Sequence, residues 1–537
     1  MDTILYNGKI YTQDKAYPHC SAIAIKNGVI AAMGNDDEIL ALSDGSTEKL
    51  DLNKRRVLPG FEDTHLHLLF YAIQASAVNL SGARSLEDVK NLCREKIQWA
   101  KQSGKWIQGV SFNQDDWDVK KLPTRHDLDQ ISKEVPISIR RACYHISVCN
   151  TKALEVLGLT KNISDEAKIN MGFDADGQPD GLIKEDLQNL ITEAQPLPTK
   201  EEIKELILLG LNHAAAKGIT QVHSDDFMVL PGDDGETIMN AYKELASENK
   251  LPIRVYQQCL LWEDKSLERF LERGHKTGDD YGFYRIGPFK VIGDGSLGAH
   301  TAYMRKPYLN DNGTCGLARY TDEQLLEICK TAHNNGMQLA IHCIGDASLE
   351  QALNTLLNLQ LNYTRTDCRH GIVHCQIMDN EQNDMFRRLN LLAYIQPIFL
   401  RCDMNIVDDC VGSELAKQSY NWRRYEDAGV HQSGGSDCPV EEFDILPNIE
   451  YAVTRTNHDT GKSWYPENKL TLEEAIKVFT YEGAYASYSE NRRGSLTVGK
   501  YADLVVLSED IFEVPENQIH NINVDLTMVG GKIAYMR

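Results

Sequence analysis

The feature that most constrains the fold of this chain is an alternation, over residues 57–436, of short apolar runs with segments of helical periodicity. Such an alternation is typical of βα units that build a parallel sheet. The candidate strands are residues 57–63, 219–224, 253–259, 289–293, 338–342, 371–375, 391–396 and 431–436. Helical stretches such as 323–334 and 348–359 lie between several of them. Eight units predict the α/β class and a closed (β/α)8 TIM barrel, where functional residues collect at the C-terminal ends of the strands.

Two parts of the chain do not fit a simple barrel. About 150 residues separate the first two candidate strands, whereas a βα connection usually takes 2–6 residues plus a helix. We therefore predict an insertion subdomain at residues 81–198, within a barrel of residues 58–493. The two chain ends read as β-rich runs with turn signals at Asn7-Gly8, Asn27-Gly28 and Gly530-Gly531. Residues 1–57 and 494–537 are predicted to pair into one small β domain.

The most informative motif is the sequence VLPGFEDTHLHL, which contains His65 and His67 at the end of the first candidate strand. Residues two apart project from the same face of a strand, and in a barrel that face is the interior. Neutral imidazoles in this position suit zinc or a similar metal. A pair of hydrogen-bonded core histidines is the alternative interpretation, and the short H-x-H pattern alone does not decide between the two.

Other strand ends favour the metal interpretation. His342 lies where the apolar run QLAIHC stops, and His374 occupies the same relative place in RHGIVHCQ. Asp437 follows a Gly-Gly-Ser bend after the last candidate strand. Independent core histidines would seldom converge on one rim of the barrel, so the set predicts a metal site.

Composition limits the classes of partner. The chain has 56 Lys and Arg against 78 Asp and Glu, a net charge of −22, so it lacks the basic footprint of a nucleic-acid binder. No apolar stretch approaches the ~20 residues that cross a bilayer, and no signal peptide is recognisable. The 13 cysteines occur without any C-x-x-C pair, which favours free thiols in a reducing compartment. We expect a cytoplasmic protein with a small-molecule substrate and no membrane or nucleic-acid partner. We expect a homodimer only because dimers are the commonest oligomers of soluble proteins.

The ordered motifs LPGFEDTHLHL, IRRACYHISVCNTKAL, FKVIGDGSLGAHTA, LAIHCIGDAS, HGIVHCQ and GGSDCPV resemble those of the amidohydrolase superfamily. The resemblance covers nearly the whole chain. Within the superfamily, the motifs are most similar to those of the branch of long members that includes N-substituted formamide deformylases. It implies a (β/α)8 barrel with a β-sandwich built from both chain ends. By matching position, it also implies a set of metal ligands, and these are His65, His67, Lys290, His342, His374 and Asp437.

Lys290 matches a lysine that family members can carry as a carbamate bridging two metals. Burial and nearby cations lower the pKa of a lysine, and the neutral amine can react with carbon dioxide. The alternative is a buried lysine that pairs with Asp294, on the same face of the strand. Imidazole and carboxylate ligands accept several metals, and zinc, as one or two ions, is the first expectation. The glycine-rich segment 294–302 lacks a G-x-G-x-x-G or G-K-[ST] pattern, so no nucleotide cofactor is expected.

The function predicted from these features is hydrolysis of a carbon–nitrogen bond other than a peptide bond, by metal-activated water. Asp437 is the predicted proton shuttle. The metal, with His145 of the insertion or His374 nearby, is predicted to polarise the carbonyl and stabilise the developing oxyanion. The resemblance implies that His145 faces the active site, and a hydrogen-bonded structural histidine is the alternative interpretation. A deaminase or a carboxylic-ester hydrolase is the alternative within the enzyme class, because fold and ligand set do not decide which bond is broken. A non-catalytic small-molecule-binding barrel is the alternative outside it.

Overall fold

The computed structural model describes residues 1–143, 145–311, 313–457 and 460–537. The chain divides into two compact units. One unit comprises Met1–Phe70 with Ile203–Arg537, and the other comprises Tyr71–Glu202. The first unit contains the predicted barrel and both chain ends.

The N-terminal segment forms short strands and two helices. The strands are β1 (Thr3–Tyr6), β2 (Lys9–Tyr11), β3 (His19–Cys20), β4 (Ala22–Lys26), β5 (Val29–Gly34), β6 (Glu48–Asp51), β7 (Arg56–Pro59) and β8 (Phe61–Leu66). The helices are α1 (Asp36–Leu40) and α2 (Leu68–Ser76). The predicted hairpin at Asn27-Gly28 is confirmed, because both residues have positive φ and join the antiparallel strands β4 and β5. The signal at Asn7-Gly8 is not a hairpin, since β1 pairs with β4 and β6 while β2 pairs with β3 and β7.

The unit Tyr71–Glu202 is built around a mixed six-stranded sheet of order β13-β14-β12-β11-β10-β9. Its strands are β9 (Val78–Asn79), β10 (Ile107–Phe112), β11 (Ile137–Arg141), β12 (Ile146–Cys149), β13 (Met171–Phe173) and β14 (Pro179–Lys184). Its helices are α3 (Leu86–Arg94), α4 (Ile97–Ser103), α5 (Arg125–Asp129), α6 (Thr151–Val156), α7 (Asp165–Ile169) and α8 (Asn189–Glu193). The apolar side chains of β10 and β11 pack with those of α3 in one core.

The barrel consists of eight parallel strands in the order β21-β20-β19-β18-β17-β16-β15-β8. After β8, its strands are β15 (Ile219–Asp225), β16 (Arg254–Leu260), β17 (Tyr284–Ile292), β18 (Leu339–Cys343), β19 (Gly371–His374), β20 (Leu392–Ile395) and β21 (Gln432–Gly434). The two ends of the sheet meet, because the Thr64 hydroxyl of β8 donates to the Gly434 carbonyl of β21 at 2.9 Å. The strands are buried on both faces, as expected for a parallel sheet covered by helices. The prediction of a TIM-barrel-like α/β fold is confirmed.

Helices follow most of the barrel strands. They are α9 (Lys200–Ala216), α10 (Glu236–Ser247), α11 (Ser266–Glu272), α12 (Asp322–Asn334), α13 (Asp346–Asn362), α14 (Asn380–Leu389), α15 (Leu400–Asp403), α16 (Val407–Val411), α17 (Ser413–Ala416), α18 (Trp422–Ala428), α19 (Ile445–Thr454), α20 (Leu472–Val478) and α21 (Tyr481–Ala486). The capping box of Thr321 and Gln324 starts α12 by satisfying amides at its first turn. The helices predicted at 323–334 and 348–359 correspond to α12 and α13. Among the described residues, no helix is long and apolar enough to span a membrane.

The strand predicted at residues 57–63 is wrong, because the chain forms two strands there. Residues Arg56–Pro59 form β7, which pairs with β2 and with Leu504–Leu507 near the C-terminal end, whereas Phe61–Leu66 enters the barrel as β8. The break lies at Gly60, where a Cβ atom would be 2.2 Å from the Thr220 side chain. Only glycine allows so close an approach, and this is where the chain passes from one sheet to the other.

Both chain ends share one sheet. The C-terminal strands are β22 (Leu504–Leu507), β23 (Val524–Val529) and β24 (Lys532–Met536), and the sheet order is β24-β23-β22-β7-β2-β3. The turn predicted at Gly530-Gly531 is confirmed between β23 and β24. A second sheet has the order β5-β4-β1-β6. Apolar side chains of both sheets pack into one core that includes Leu5, Ile23, Ile25, Val57, Leu504, Val506 and Leu526.

Candidate metal centre

The strand β8 and the turn after β21 bring two histidines and an aspartate together at the C-terminal rim of the barrel. The Nε2 atoms of His65 and His67 lie 3.3 and 3.2 Å from the same atom, Oδ1 of Asp437. The backbone fixes this approach, because the Asp437 amide donates to the His65 carbonyl at 2.7 Å. The three side chains are close enough to bind one metal ion, since their ligand atoms all lie within 4.8 Å of one another.

The Nδ1 nitrogens of His65 and His67 each lie against a hydrogen-bond acceptor. His65 Nδ1 lies 2.8 Å from Oε1 of Gln258, and the Gln258 amide nitrogen in turn donates to the Thr64 carbonyl at 3.0 Å. His67 Nδ1 lies 3.0 Å from the backbone carbonyl oxygen of Asp225. An acceptor opposite Nδ1 requires the hydrogen there, which leaves a lone pair on Nε2 for a metal.

His342 and His374 repeat this arrangement on two neighbouring strands of the barrel, β18 and β19. His342 Nδ1 donates to Oδ1 of Asp294 at 3.0 Å, and His374 Nδ1 lies 2.9 Å from Oε1 of Gln396. Their ring centroids are 4.4 Å apart, and the His374 ring is 5.3 Å from that of His65. In all four predicted histidines, therefore, an acceptor engages Nδ1 and Nε2 is the nitrogen left to bind a metal.

Lys290, in β17, completes the predicted ligand set. Its Nζ lies 3.2 Å from His65 Nε2, and the side chain is buried. Burial lowers the pKa of the ammonium group to about 8, although the Asp225 and Asp437 carboxylates oppose the shift. The alternative pairing of Lys290 with Asp294 is not found, because the Asp294 carboxylate accepts hydrogen bonds from His342 and from backbone amides that include that of Gly345.

The electrostatics of the centre favour neutral imidazoles at His65 and His374 and an anionic carboxylate at Asp437. At His67 burial lowers the pKa, but the hydrogen bond to Asp437 outweighs it and raises the pKa to about 9, so a metal that binds this imidazole displaces its proton. Burial, reinforced by the Lys290 charge, lowers the pKa of His65 to about 3. Burial likewise holds the pKa of His374 well below its ordinary value. Burial alone would raise the pKa of Asp437, but the neighbouring His65 and His67 pull it well below its usual range.

A divalent cation fits these residues. Asp437 Oδ1 is buried and has no hydrogen-bond partner, although two imidazole nitrogens lie within 3.3 Å of it. A carboxylate oxygen and neutral imidazole nitrogens are the donor types that zinc and similar ions prefer. A cation among them would supply the electrostatic partner that this buried oxygen lacks.

Three side chains of the rim were missed by the sequence analysis. Gln258 and Gln396 hold imidazoles, and Asp225 is a carboxylate at the end of β15. Burial raises the pKa of Asp225 to about 6. The sequence carried a signal for all three, because each is a polar residue at the end of an apolar strand that also supplies or adjoins a predicted ligand.

His145 lies in the other compact unit, just before β12. Its side chain is exposed, and Nδ1 lies 2.9 Å from Oε2 of Glu185. The Glu185 carboxylate raises the pKa of His145. The catalytic role assigned to this residue stays a prediction.

A second group of metal-binding side chains occurs among the described residues, formed by His333, Cys368 and His370. The Leu339 amide donates to His370 Nδ1 at 3.0 Å, so His370 carries its hydrogen on Nε2 and donates to His333 Nδ1 at 2.8 Å. His333 Nε2 then donates to the Tyr363 carbonyl at 2.6 Å. The nitrogens are used within this chain of hydrogen bonds, which makes the cluster structural.

The sequence of the chain is similar to that of known hydrolases. The Amidohydrolase family profile matches residues 48–535. The putative amidohydrolase YtcJ of Bacillus subtilis is 30% identical over 538 residues, covering 100% of this chain and 99% of that protein. The N-substituted formamide deformylase of Arthrobacter pascens is 24% identical over 562 residues, covering 100% of this chain and 98% of that protein.

The fold of this chain is also similar to that of solved structures of metal-dependent hydrolases. An uncharacterized metal-dependent hydrolase from Pyrococcus furiosus has a TM-score of 0.77 at 25% identity, covering 95% of this chain and 99% of that one. A second uncharacterized metal-dependent hydrolase, from Pyrococcus horikoshii OT3, has a TM-score of 0.75 at 27% identity, covering 96% and 99%.

Proposed function

The chain belongs to the amidohydrolase family, as a metal-dependent hydrolase of carbon–nitrogen bonds, and on that premise we propose that it cleaves a non-peptide amide, an N-formyl or N-acyl compound. The observation that carries the proposal is the common orientation of four imidazoles at one rim, each with Nδ1 engaged by an acceptor, together with the Asp437 carboxylate that lies against Nε2 of His65 and His67. The Arthrobacter deformylase, similar over the whole chain, supports an N-formyl or related substrate.

We propose that six residues at the rim of the barrel are the metal ligands. They are His65, His67, Lys290, His342, His374 and Asp437. Zinc, as one or two ions, is the proposed metal because the set consists of imidazole nitrogens and hard oxygen donors. When bound, a divalent cation supplies a water whose pKa is lowered toward neutrality and polarises the substrate carbonyl.

Asp437 is the proposed proton shuttle. Its low pKa keeps it anionic near neutral pH, so it can accept a proton from the attacking water. The protonated carboxyl then donates that proton to the leaving nitrogen. His374 lies beside His65 and His342 at this rim, and we propose it, or His145 by its resemblance to the family motif, as the group that stabilises the developing oxyanion.

Lys290 is proposed to carry a carbamate. Its neutral amine adds to carbon dioxide, forming a nitrogen–carbon bond and releasing one proton, and the product is an anion with two oxygens for metal binding. Burial favours this step, because it lowers the pKa of the amine to about 8. We expect the Lys290→Ala variant to lose activity and to regain part of it with added short carboxylic acids.

We also propose the domain boundaries, the cellular compartment and the oligomeric state of the enzyme. Residues 1–57 and 494–537 form the β-sandwich domain, 58–493 the barrel and 81–198 the insertion within it. The shared core of the two terminal sheets supports the first of these assignments. All 13 cysteines are unpaired, which supports a reducing, cytoplasmic setting. A homodimer that acts on a small molecule is the proposed working form.

The test is a screen of N-formyl, N-acyl and cyclic amide compounds with the zinc-loaded protein, in which release of the amine is measured. The control is Asp437→Asn, an isosteric variant that keeps an oxygen near the histidines but cannot take up the proton of water. We expect turnover of at least one amide, and a loss of roughly a hundred- to ten-thousand-fold in the variant. Turnover of esters without any amide, or near-normal turnover in a metal-loaded Asp437→Asn protein, would contradict the proposal.

A further inference from the structure

Asp225 lies on the barrel wall beside the candidate metal centre. It is the last residue of β15 and pairs in register with Gln258, the residue that holds His65. Its backbone carbonyl accepts the hydrogen of His67 Nδ1. The backbone of Asp225 therefore orients the His67 ring, and its carboxylate takes no part in that contact.

The carboxylate of Asp225 is buried without a partner. The residue is 1% exposed, and neither carboxylate oxygen accepts a hydrogen bond. The adjacent Asp226 is equally buried, but its oxygens accept from the Leu69 amide at 2.9 Å and the Tyr242 hydroxyl at 2.8 Å. Because buried polar groups are nearly always hydrogen-bonded, an unpaired carboxylate at a site rim indicates that a ligand supplies the donor.

The neighbouring cations do not supply that donor. The Lys290 ammonium lies against His65 Nε2, and the His67 ring is held between the Asp225 carbonyl and Asp437 Oδ1. A carboxylate only accepts hydrogen bonds, so a hydrogen-bonding partner for Asp225 must carry N–H or O–H groups. A metal ion is the other kind of partner that a buried carboxylate can take, and the metal content of Asp225→Asn distinguishes the two. Substrates of the proposed reaction carry N–H groups at the bond that is cleaved.

We propose that Asp225 forms the subsite for the leaving nitrogen, where it accepts hydrogen bonds from the amide N–H and then from the released ammonium group. The inference rests on the proposed function. Hydrolysis forms a carbon–oxygen bond and breaks the carbon–nitrogen bond, so that water and R–CO–NH–R′ give R–COO⁻ and R′–NH3⁺. The two oxygens of Asp225 suit the cationic product better than the neutral amide. The substrate class is therefore a secondary amide, and fully substituted amides and esters are disfavoured.

The first test measures binding of the product type by the metal-loaded protein. Isothermal titration calorimetry with n-butylammonium, and with 1-butanol as the uncharged analogue, is carried out on the native protein, Asp225→Asn and the matched control Asp226→Asn. We expect the native protein to prefer the ammonium ion, and Asp225→Asn to lose roughly tenfold to a hundredfold of that affinity, as for loss of a charged hydrogen bond. Asp226→Asn should keep the preference. Asp225→Ala replaces the amide variant if the latter does not fold.

Three results of the binding experiment would overturn the proposal. They are equal ammonium affinity in the native protein and Asp225→Asn, no ammonium binding by the native protein, and loss of bound metal from Asp225→Asn, which would make Asp225 a metal ligand.

The second test is kinetic and compares the hydrolysis of N-butylformamide with that of N-butyl-N-methylformamide. Selective turnover of the first, abolished in Asp225→Asn, supports the subsite. Hydrolysis that is indifferent to N-methylation overturns the subsite and leaves the proposed function standing, whereas Asp225-dependent ammonium binding without any hydrolysis overturns the function alone.

Discussion

Each of the four histidines at the rim of the barrel meets an acceptor with its Nδ1 nitrogen. Two of these acceptors are glutamine side chains, Gln258 and Gln396, one is the Asp294 carboxylate and one is the backbone carbonyl of Asp225. The acceptors fix the orientation of each ring and leave Nε2 for a metal. We therefore expect affinity for the metal to depend on residues that do not touch it.

Gln258 provides a test of that dependence. Replacing it with leucine removes the acceptor of His65 Nδ1 and frees the ring to rotate or change tautomer. We expect affinity for zinc to fall by about tenfold to a hundredfold, as measured by competition with a chelator. The matched control is Gln257→Leu, since Gln257 is also buried in β16 but donates to the Ser224 carbonyl instead of a histidine. Equal zinc affinities of the two variants would argue against the orienting role.

At the scale of elements, the turn after β21 determines whether Asp437 can reach the histidines of β8. A Cβ atom at Gly435 would lie 2.6 Å from the His65 backbone nitrogen. The absence of a side chain there lets the turn lie against β8, so that the Asp437 amide can bond to the His65 carbonyl. Gly435 is thus part of the construction of the candidate site.

The Gly435→Ala variant should push this turn away from β8. We expect a loss of ~1–3 kcal/mol in the free energy of unfolding, from overpacking against backbone atoms, together with weaker zinc binding. Gly45→Ala is the control, because a Cβ atom there meets nothing within 4 Å. Urea denaturation and zinc competition check the two expectations. A Gly435→Ala protein with native zinc affinity would show that the close approach is not needed.

The sequence predicts the barrel and the position of its histidines because strand ends can be recognised from apolar runs alone. It does not predict where one sheet passes to another. The strand expected at 57–63 divides at Gly60 for a contact with Thr220, which lies far away in the sequence. Asp225 can be recognised in the sequence as a polar residue at the end of an apolar run, but only the structure reveals that its carboxylate has no hydrogen-bond partner.

At the scale of the whole molecule, the C-terminal strands are tied to the barrel by a buried ion pair. Arg254 at the start of β16 donates through Nε and Nη2 to both oxygens of Asp503, at 3.0 and 3.2 Å. Its guanidinium also lies 4.4 Å from the ring centroids of Phe283 and Tyr501. The Gly530 amide donates to Asp503 at 2.6 Å, so one carboxylate joins the barrel to the turn between β23 and β24.

Removing the charge of Asp503 should destabilise the protein strongly. Asp503→Asn leaves the buried guanidinium without its counter-ion, and we expect a loss of ~3–5 kcal/mol in the free energy of unfolding. Glu513→Gln removes an exposed partner of Lys9 and should change stability little. Chemical denaturation of both variants checks the difference. Equal stabilities would show that the pair does not hold the C-terminal strands to the barrel.

The measurement that tests the central claim most directly is the metal content of the purified protein. We predict that the native protein binds zinc and that the double variant His65→Ala/His67→Ala loses most of it, because two neutral nitrogen ligands disappear together. A double variant of two exposed histidines, His19→Ala/His126→Ala, should retain the full content and excludes binding at surface imidazoles. Full metal content in the His65→Ala/His67→Ala protein would contradict the assignment of the metal centre.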